Sequence, residues 1–311
     1  MISSIFGKTK PINFIIVSIF LFLLYGLVQF YPSWRPFNSL EVTLRILALV
    51  VLVLSVFIVD FIIKKNKLTG TNSFAILFFG LLCMLFPETL LDPKALFCSF
   101  FLLLATRRIL SIKSLKNSKL KIFDATLWVL VSSIFYTWAL LFLFLIFTAI
   151  YIYDSKNIRN WLVPIVSIFV FSMISISVLL VLGKNAFPLN QYAFSVDFNE
   201  PHFLNKVTDP RFLIYLIGVV FLAIWTFIKS GNTGVGKTIS IRLMGISFLL
   251  GLLVYILSVG QGNTIVITFF PAVIFFTNHI ESVPKKNIKE ALLMLSVFIV
   301  FLVFATTLML S

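Results

Sequence analysis

The basic residues of this chain are confined to short segments that separate long apolar runs. Of its 25 lysine and arginine residues, 19 lie in six clusters, at positions 8–10, 64–67, 107–121, 156–159, 229–242 and 285–289. Loops that stay on the cytoplasmic side of a membrane carry such an excess of lysine and arginine. The alternation therefore predicts a chain that crosses a bilayer repeatedly and returns to the cytoplasm at each cluster.

The composition supports a membrane protein. Apolar residues make up 60% of the 311 residues and charged residues only 12%, which leaves too little polar surface to cover a soluble globule of this length. On the predicted outward side six acidic residues balance six basic ones, and the other five acidic residues lie on the side of the clusters, so the net charge of 19 − 5 = +14 falls on the predicted cytoplasmic side. There it can meet anionic lipid headgroups. Since no nucleic-acid recognition motif accompanies this charge, we expect membrane lipids as partners and no nucleic acid.

Hydropathy predicts an all-α transmembrane bundle that forms one membrane domain over residues 1–311. Nine apolar runs are read as single crossings: 12–30, 46–63, 74–87, 95–110, 161–182, 212–228, 243–259, 264–279 and 291–310. The first run ends without the small-residue cleavage site of a signal peptide, so we interpret it as a retained helix. With the hairpin described next, the count is about eleven crossings, with the N-terminus in the cytoplasm and the C-terminus outside.

Residues 125–153 form an apolar run that is too long for one crossing. As a helix, its 29 residues would measure roughly 43 Å against a hydrocarbon core of about 30 Å. Basic clusters flank the run on both sides, so both of its ends are predicted to be cytoplasmic. The run must therefore double back as a half-length hairpin, and we place its turn at the polar residues 132–138. Backbone that turns at membrane depth must be covered by protein or by a wet cavity.

Three carboxylates are predicted at the outward face. Glu41 follows the first crossing, and Glu88 and Asp92 flank the next outward loop. Carboxylate oxygens suit a divalent cation, and a carboxylate can also serve as a general base. The alternative is solvated loop charge, with Glu41 pairing with Arg45 four residues later.

The longest outward segment is 183–211, which exceeds the usual structureless connection and is therefore a candidate functional loop. Within it, His202 follows acidic residues and is a candidate proton donor or ligand. Three arginines near the outward ends of helices, Arg35, Arg45 and Arg211, are candidates for holding a phosphate group. A surface histidine and arginines that anchor helices at the interface are the alternatives.

Residues 231–238 read GNTGVGKT and match the phosphate-loop pattern G-x-x-x-x-G-K-[ST]. That motif functions where a strand enters the loop and a helix leaves it in a parallel α/β domain. Here one predicted transmembrane helix precedes the segment and another follows it. We therefore interpret Gly231 to Thr238 as a chance match in a basic cytoplasmic loop, with no nucleotide site.

A resemblance covers the region from about residue 71 to residue 153. A helix ends in Leu85-Phe86-Pro87-Glu88, a short outward loop follows, and a second helix returns into Ala105-Thr106-Arg107-Arg108. A basic stretch and the hairpin come next, closed by Tyr153-Asp154-Ser155-Lys156. This succession resembles the core module of the GT-C superfamily, polytopic glycosyltransferases that take sugars from polyprenyl-phosphate carriers. The core would cover about 12–182, with additional helices over about 212–310. The whole chain also resembles an uncharacterised family of bacterial multi-pass inner-membrane proteins.

The GT-C resemblance implies a glycosyltransferase at the outer face of the inner membrane. Glu41 stands where that superfamily has its acidic residue, and it would act as the base with Glu88 or Asp92 and a divalent cation. The phosphate of a polyprenyl-linked sugar would lie near Arg35, Arg45 or Arg211. These groups should then line one outward cavity.

Two other functions remain open. A non-catalytic membrane subunit would scaffold an envelope assembly and bind membrane-protein partners through phenylalanine-rich helix faces, with the outward carboxylates and arginines lying apart. A transporter would require an ionisable pair deep in the membrane.

Overall fold

A computed structural model describes residues 2–30, 39–183, 206, 208–231, 234–258 and 262–310, with side chains as far as Thr307. Every regular element in these ranges is helical. Nine helical segments among them are long and apolar enough to cross a membrane. The prediction of an all-α polytopic bundle is therefore confirmed.

The described α-helices are numbered here in chain order. They are α1 Ile2–Phe6, α2 Pro11–Phe30, α3 Ser39–Asn66, α4 Phe74–Leu85, α5 Pro93–Ser111, α6 Ser118–Ser133, α7 Phe142–Asp154, α8 Ile158–Val181, α9 Pro210–Ser230, α10 Val235–Leu257, α11 Phe269–Ser282 and α12 Lys286–Leu310. Short 3₁₀ turns lie at Pro87–Leu91, Ile112–Ser114, Thr137–Leu141 and Thr264–Thr268. Helix α4 has only 12 residues, about 18 Å at 1.5 Å per residue, and the turn Pro87–Leu91 extends it.

Two helices begin at an Asp-Pro pair. The Asp92 carboxylate accepts hydrogen bonds from the Lys94 and Ala95 amides at the start of α5, and Asp209 accepts one from the Arg211 amide at the start of α9. An N-cap carboxylate satisfies amides that lack a partner within the helix, and proline fits the first helical position because it has no amide to satisfy. Capping thus fixes each carboxylate at the start of its helix, and both helices start at the same end of the bundle.

The predicted hairpin is present. Helix α6 ends at Ser133, and the 3₁₀ turn Thr137–Leu141 leads into α7. Asn160 Nδ2, at the start of α8, lies 2.6 Å from Asp154 Oδ2 and 3.5 Å from Ser118 Oγ, so the start of α6 and the end of α7 lie together. The run therefore doubles back at residues 132–138. Its first helix begins at Ser118 instead of residue 125, because hydropathy does not register a charged first turn that extends the helix into water.

All six basic clusters meet at one end of the bundle, which we call the basic end. The contacts that join them are Asn13 with Lys8, Ser73 with Phe6, Gly70 with Glu281, Arg107 with Phe61, Lys113 with Gly236, and Asn160 with Ser118. The sequence pattern predicted that the six clusters lie on one side, and the packing of the helices brings them to one end of the bundle.

The opposite end of the bundle carries the groups predicted to face outward. Arg45 donates to Gln29, whose Nε2 donates to the Leu90 carbonyl at 2.9 Å. Arg211 lies 3.5 Å from Thr307 near the end of the chain. Within the described residues, α1 lies at the basic end and the last turns of α12 lie at the opposite end.

Candidate functional site

The opposite end holds the candidate site, and Arg211 is its most connected residue. Its Nη1 lies 2.7 Å from Glu88 Oε1, and its Nη2 lies 2.9 Å from Asp209 Oδ2. The same Nη1 is 3.5 Å from Thr307 Oγ1. One guanidinium thus joins the turn after α4, the first turn of α9 and the last turns of α12. Two residues predicted independently as site residues, Glu88 and Arg211, are in direct contact.

The formal net charge of this cluster is negative, because a single guanidinium faces two carboxylates. The side chains are partly buried, with 27% of Arg211 and 37% of Glu88 exposed. Glu88 Oε2 is buried and has no hydrogen-bond partner within the described part of the chain. Arg211 is therefore neutralised by the protein itself, which leaves it little positive charge for a phosphate group.

Asp92 forms a second cluster. One carboxylate oxygen caps α5, through the Lys94 amide at 3.0 Å and the Ala95 amide at 3.2 Å. The other accepts a hydrogen bond from the Tyr136 hydroxyl. The Tyr136 side chain is buried, and its hydroxyl is the donor in this hydrogen bond. The hairpin turn is thereby fastened to the start of α5.

Lys206 and Gly262 complete this second cluster. Lys206 Nζ donates to the Gly262 carbonyl at 2.8 Å and to the Ser258 carbonyl at 3.1 Å. Burial lowers the pKa of the Lys206 ammonium, and the Asp92 carboxylate opposes that shift. Gly262, with φ +128°, packs directly against Asp92 and Tyr136. Sequence reasoning missed both residues, since neither a lone lysine nor a lone glycine in a loop carries a motif.

Glu41 and Arg45 lie on helix α3, which begins at Ser39 and therefore includes residues predicted as loop. The Glu41 side chain is exposed. Arg45 donates to Gln29, and its backbone carbonyl accepts from the Tyr25 hydroxyl at 2.9 Å. Both of these contacts tie the outward part of α3 to α2.

The predicted site residues that the structure describes have different immediate partners. Glu88 faces Arg211, Asp92 faces Tyr136, and Glu41 contacts neither. No group of three or more histidine, cysteine, aspartate or glutamate side chains in the described ranges is arranged to hold a metal ion. Arg35, His202 and nearly all of the segment 183–211 lie outside the described residues.

The phosphate-loop match, residues 231–238, runs from the end of one helix into the first turn of the next. Helix α9 ends at Ser230 and α10 begins at Val235, and Thr238 Oγ1 donates to the Ser230 carbonyl at 2.9 Å. A helix therefore enters the segment where the motif requires a strand.

A bundle of apolar helices with its charged groups gathered at two ends defines a polytopic all-helical membrane protein. The chain belongs to a family of unknown function (DUF6427), which matches it over residues 1–311. The expectation of an uncharacterised family is thus confirmed. No curated protein and no solved structure matches the chain.

Proposed function

We propose that this chain is a non-catalytic subunit of the bacterial inner membrane that crosses the bilayer eleven times. Nine crossings are the long apolar segments, and the shorter helices α4 and α6 supply two more. The positive-inside rule favours a cytoplasmic basic end, because all six basic clusters lie there. The N-terminus is then inside and the C-terminus outside, with Glu88, Asp92 and Arg211 at the outer face.

One observation carries the non-catalytic assignment: Asp92, Arg211 and one oxygen of Glu88 are already engaged with other parts of the protein. Both Asp92 oxygens accept hydrogen bonds from α5 amides or from Tyr136, and Glu88 Oε1 pairs with Arg211. A general base needs a lone pair that reaches its substrate. Side chains engaged in this way hold helix ends together, which suits a subunit that scaffolds an envelope assembly through its membrane-facing helices.

Carboxylate-to-amide substitutions test this assignment, because they preserve side-chain shape and remove basicity. In cells whose phenotype depends on the chain, Glu41→Gln and Asp92→Asn should restore function to a deletion strain at normal protein level. Asp124→Asn, which alters an ion pair with Arg108 at the basic end, is the matched control. Loss of a cell-surface glycan in Glu41→Gln, with the protein still present and the control unaffected, would refute the proposal.

A second candidate is a GT-C-like glycosyltransferase acting on a polyprenyl-phosphate-linked sugar at the outer face. It is favoured by Glu88 Oε2, a buried carboxylate oxygen without a hydrogen-bond partner in the described residues. Glu88, beside Arg211, would then be the base, with a divalent cation as the counter-charge. Glu88→Gln would abolish a surface glycan at normal protein level under this mechanism and leave it intact for a scaffold.

Transport has less support. The ion pairs of the described residues include Asp60–Lys64 and Arg108–Asp124 at the basic end, and Arg211 with Glu88 and Asp209 at the opposite end. A transporter is expected to place ionisable groups near the middle of the bilayer.

A further inference from the structure

A cleft of about 180 Å³ opens at the basic end between α9, α10 and α11. Its lining includes Lys229 from the last turn of α9, Lys237 from the first turn of α10, and Glu281 from α11. Thr238 Oγ1 donates to the Ser230 carbonyl at 2.9 Å, which holds the first turn of α10 against the end of α9. The two lysines are thus presented to one space by two helix ends fixed to each other.

The charges around this cleft are unbalanced. No ion pair of Lys229 or Lys237 occurs within the ranges that the structure describes. Glu281 is turned toward the loop after α3, where its oxygens accept hydrogen bonds from the Gly70 amide at 2.8 and 2.9 Å and from Asn72 Nδ2 at 2.5 Å. A further cation, Lys113, packs against Gly236.

Lys237 lies in the first turn of α10, a position where a nearby anion would be favourable. The N-terminal turn of a helix carries partial positive charge, so a lysine there is unfavourable unless an anion lies nearby. Lys229 in the last turn of α9 is favourably placed with respect to its own helix, but its charge adds to that of Lys237 in the cleft. An anion bound between the two lysines would offset both the repulsion between their charges and the unfavourable position of Lys237 at the start of its helix.

The cleft also adjoins apolar surface. Trp225 lies one turn before Lys229 and is 46% exposed, and Ile228 is 74% exposed. Tryptophan is enriched where a membrane meets water, which favours placing this wall of the cleft at the level of the lipid headgroups. A phosphate group attached to a lipid can enter from that side.

We propose that this cleft binds a phosphate group, with Lys229 and Lys237 as its cationic ligands. The position beside Trp225 favours the phosphodiester of an anionic phospholipid as its source. Lysine binds phosphate as a point charge without a demanding geometry. The inference is independent of what happens at the opposite end of the bundle.

The test uses the purified full-length chain in detergent, titrated with phosphatidylglycerol and, for comparison, phosphatidylcholine, with bound lipid counted by native mass spectrometry. The double variant Lys229→Gln/Lys237→Gln should bind phosphatidylglycerol at least about tenfold more weakly, because each lysine contributes measurable attraction to an anionic headgroup. The control Lys8→Gln/Lys10→Gln removes two exposed lysines from the same end and should change binding less than twofold. Equal binding by both double variants would overturn the proposal.

Two further arms make the result specific. Lys229→Arg/Lys237→Arg keeps both charges and should restore phosphatidylglycerol binding, which separates loss of a ligand from loss of folding. Inorganic pyrophosphate added to the wild type distinguishes the sources of phosphate. Displacement of the lipid by pyrophosphate would assign the cleft to a soluble phosphate, whereas retention of phosphatidylglycerol would assign it to the lipid headgroup.

Discussion

Arg211 and Glu88 are 123 positions apart in the chain, and Nη1 of the arginine lies 2.7 Å from Oε1 of the glutamate. The contact connects the turn that follows α4 to the start of α9. Because Asp209 shares the same guanidinium, removing the arginine would leave two carboxylates facing each other without a counter-charge.

We expect Arg211→Gln to lower the stability of the chain by about 1 kcal/mol, near the upper end for partly exposed ion pairs. Arg211→Lys should recover part of the loss, since it keeps the charge but not the paired geometry. Thermal unfolding in detergent measures both. Arg159→Gln, an exposed arginine at the basic end, serves as the control, and an equal melting temperature for the two glutamine variants would contradict the structural role.

The Asp92–Tyr136 hydrogen bond predicts coupling between the hairpin turn and α5. Asp92→Ala removes both the helix cap, a loss of about 1 kcal/mol, and the partner of a buried hydroxyl. Tyr136→Phe removes the hydroxyl alone and should be milder. In a double-mutant cycle followed by thermal unfolding, the combined loss should be smaller than the sum of the single losses. Strict additivity would mean that the two side chains do not interact.

Gly262 and Gly218 offer opposite outcomes for the same substitution. Gly262 has φ +128°, and a β-carbon there would collide with Asp92 and Tyr136, so Gly262→Ala should destabilise the opposite end of the bundle. Gly218 lies within α9 with nothing near the position of its missing β-carbon. Gly218→Ala should therefore stabilise the chain by up to about 1 kcal/mol, from helix propensity. Unfolding curves of the two variants should shift in opposite directions.

The orientation of the chain can be tested by cysteine labelling, because the two native cysteines, Cys83 and Cys98, are buried. We expect a membrane-impermeant maleimide to label Lys94→Cys in intact cells. Lys116→Cys and Lys156→Cys, which flank the hairpin, should react only after the membrane is permeabilised. Labelling of just one of these two flanking positions in intact cells would exclude a hairpin with both ends in the cytoplasm.

The hairpin was predictable because two independent signals met in the sequence. The apolar run 125–153 is too long for one crossing, and basic residues flank it on both sides. Helix bounds were less accurate, since hydropathy detects only the apolar stretch: α3 continues outward to Ser39 and α6 begins at Ser118. The hydrogen bonds of a helix can continue beyond the hydrocarbon core of the membrane, where the sequence becomes polar.

The candidate site was only partly predictable, for a different reason. Charge and position selected Glu88, Asp92 and Arg211 as outward polar groups, but their partners depend on which helix ends pack together. The pairing of Arg211 with Glu88 joins distant parts of the chain, and no local pattern encodes it. Gly262 matters because of its backbone conformation and its close approach to Asp92, which a single sequence does not reveal.

The brevity of α6 has a consequence for how the protein is made. After its last charged residue, Asp124, the helix has only nine residues before it ends at Ser133, far fewer than the roughly 20 that a segment needs to leave the translocon on its own. In the proposed topology α6 therefore enters the lipid as a pair with α7, after the ribosome has synthesised the chain through Asp154. The hairpin would then be one unit of insertion, and a nascent chain that stops between the two helices would lack the partner that α6 needs to insert.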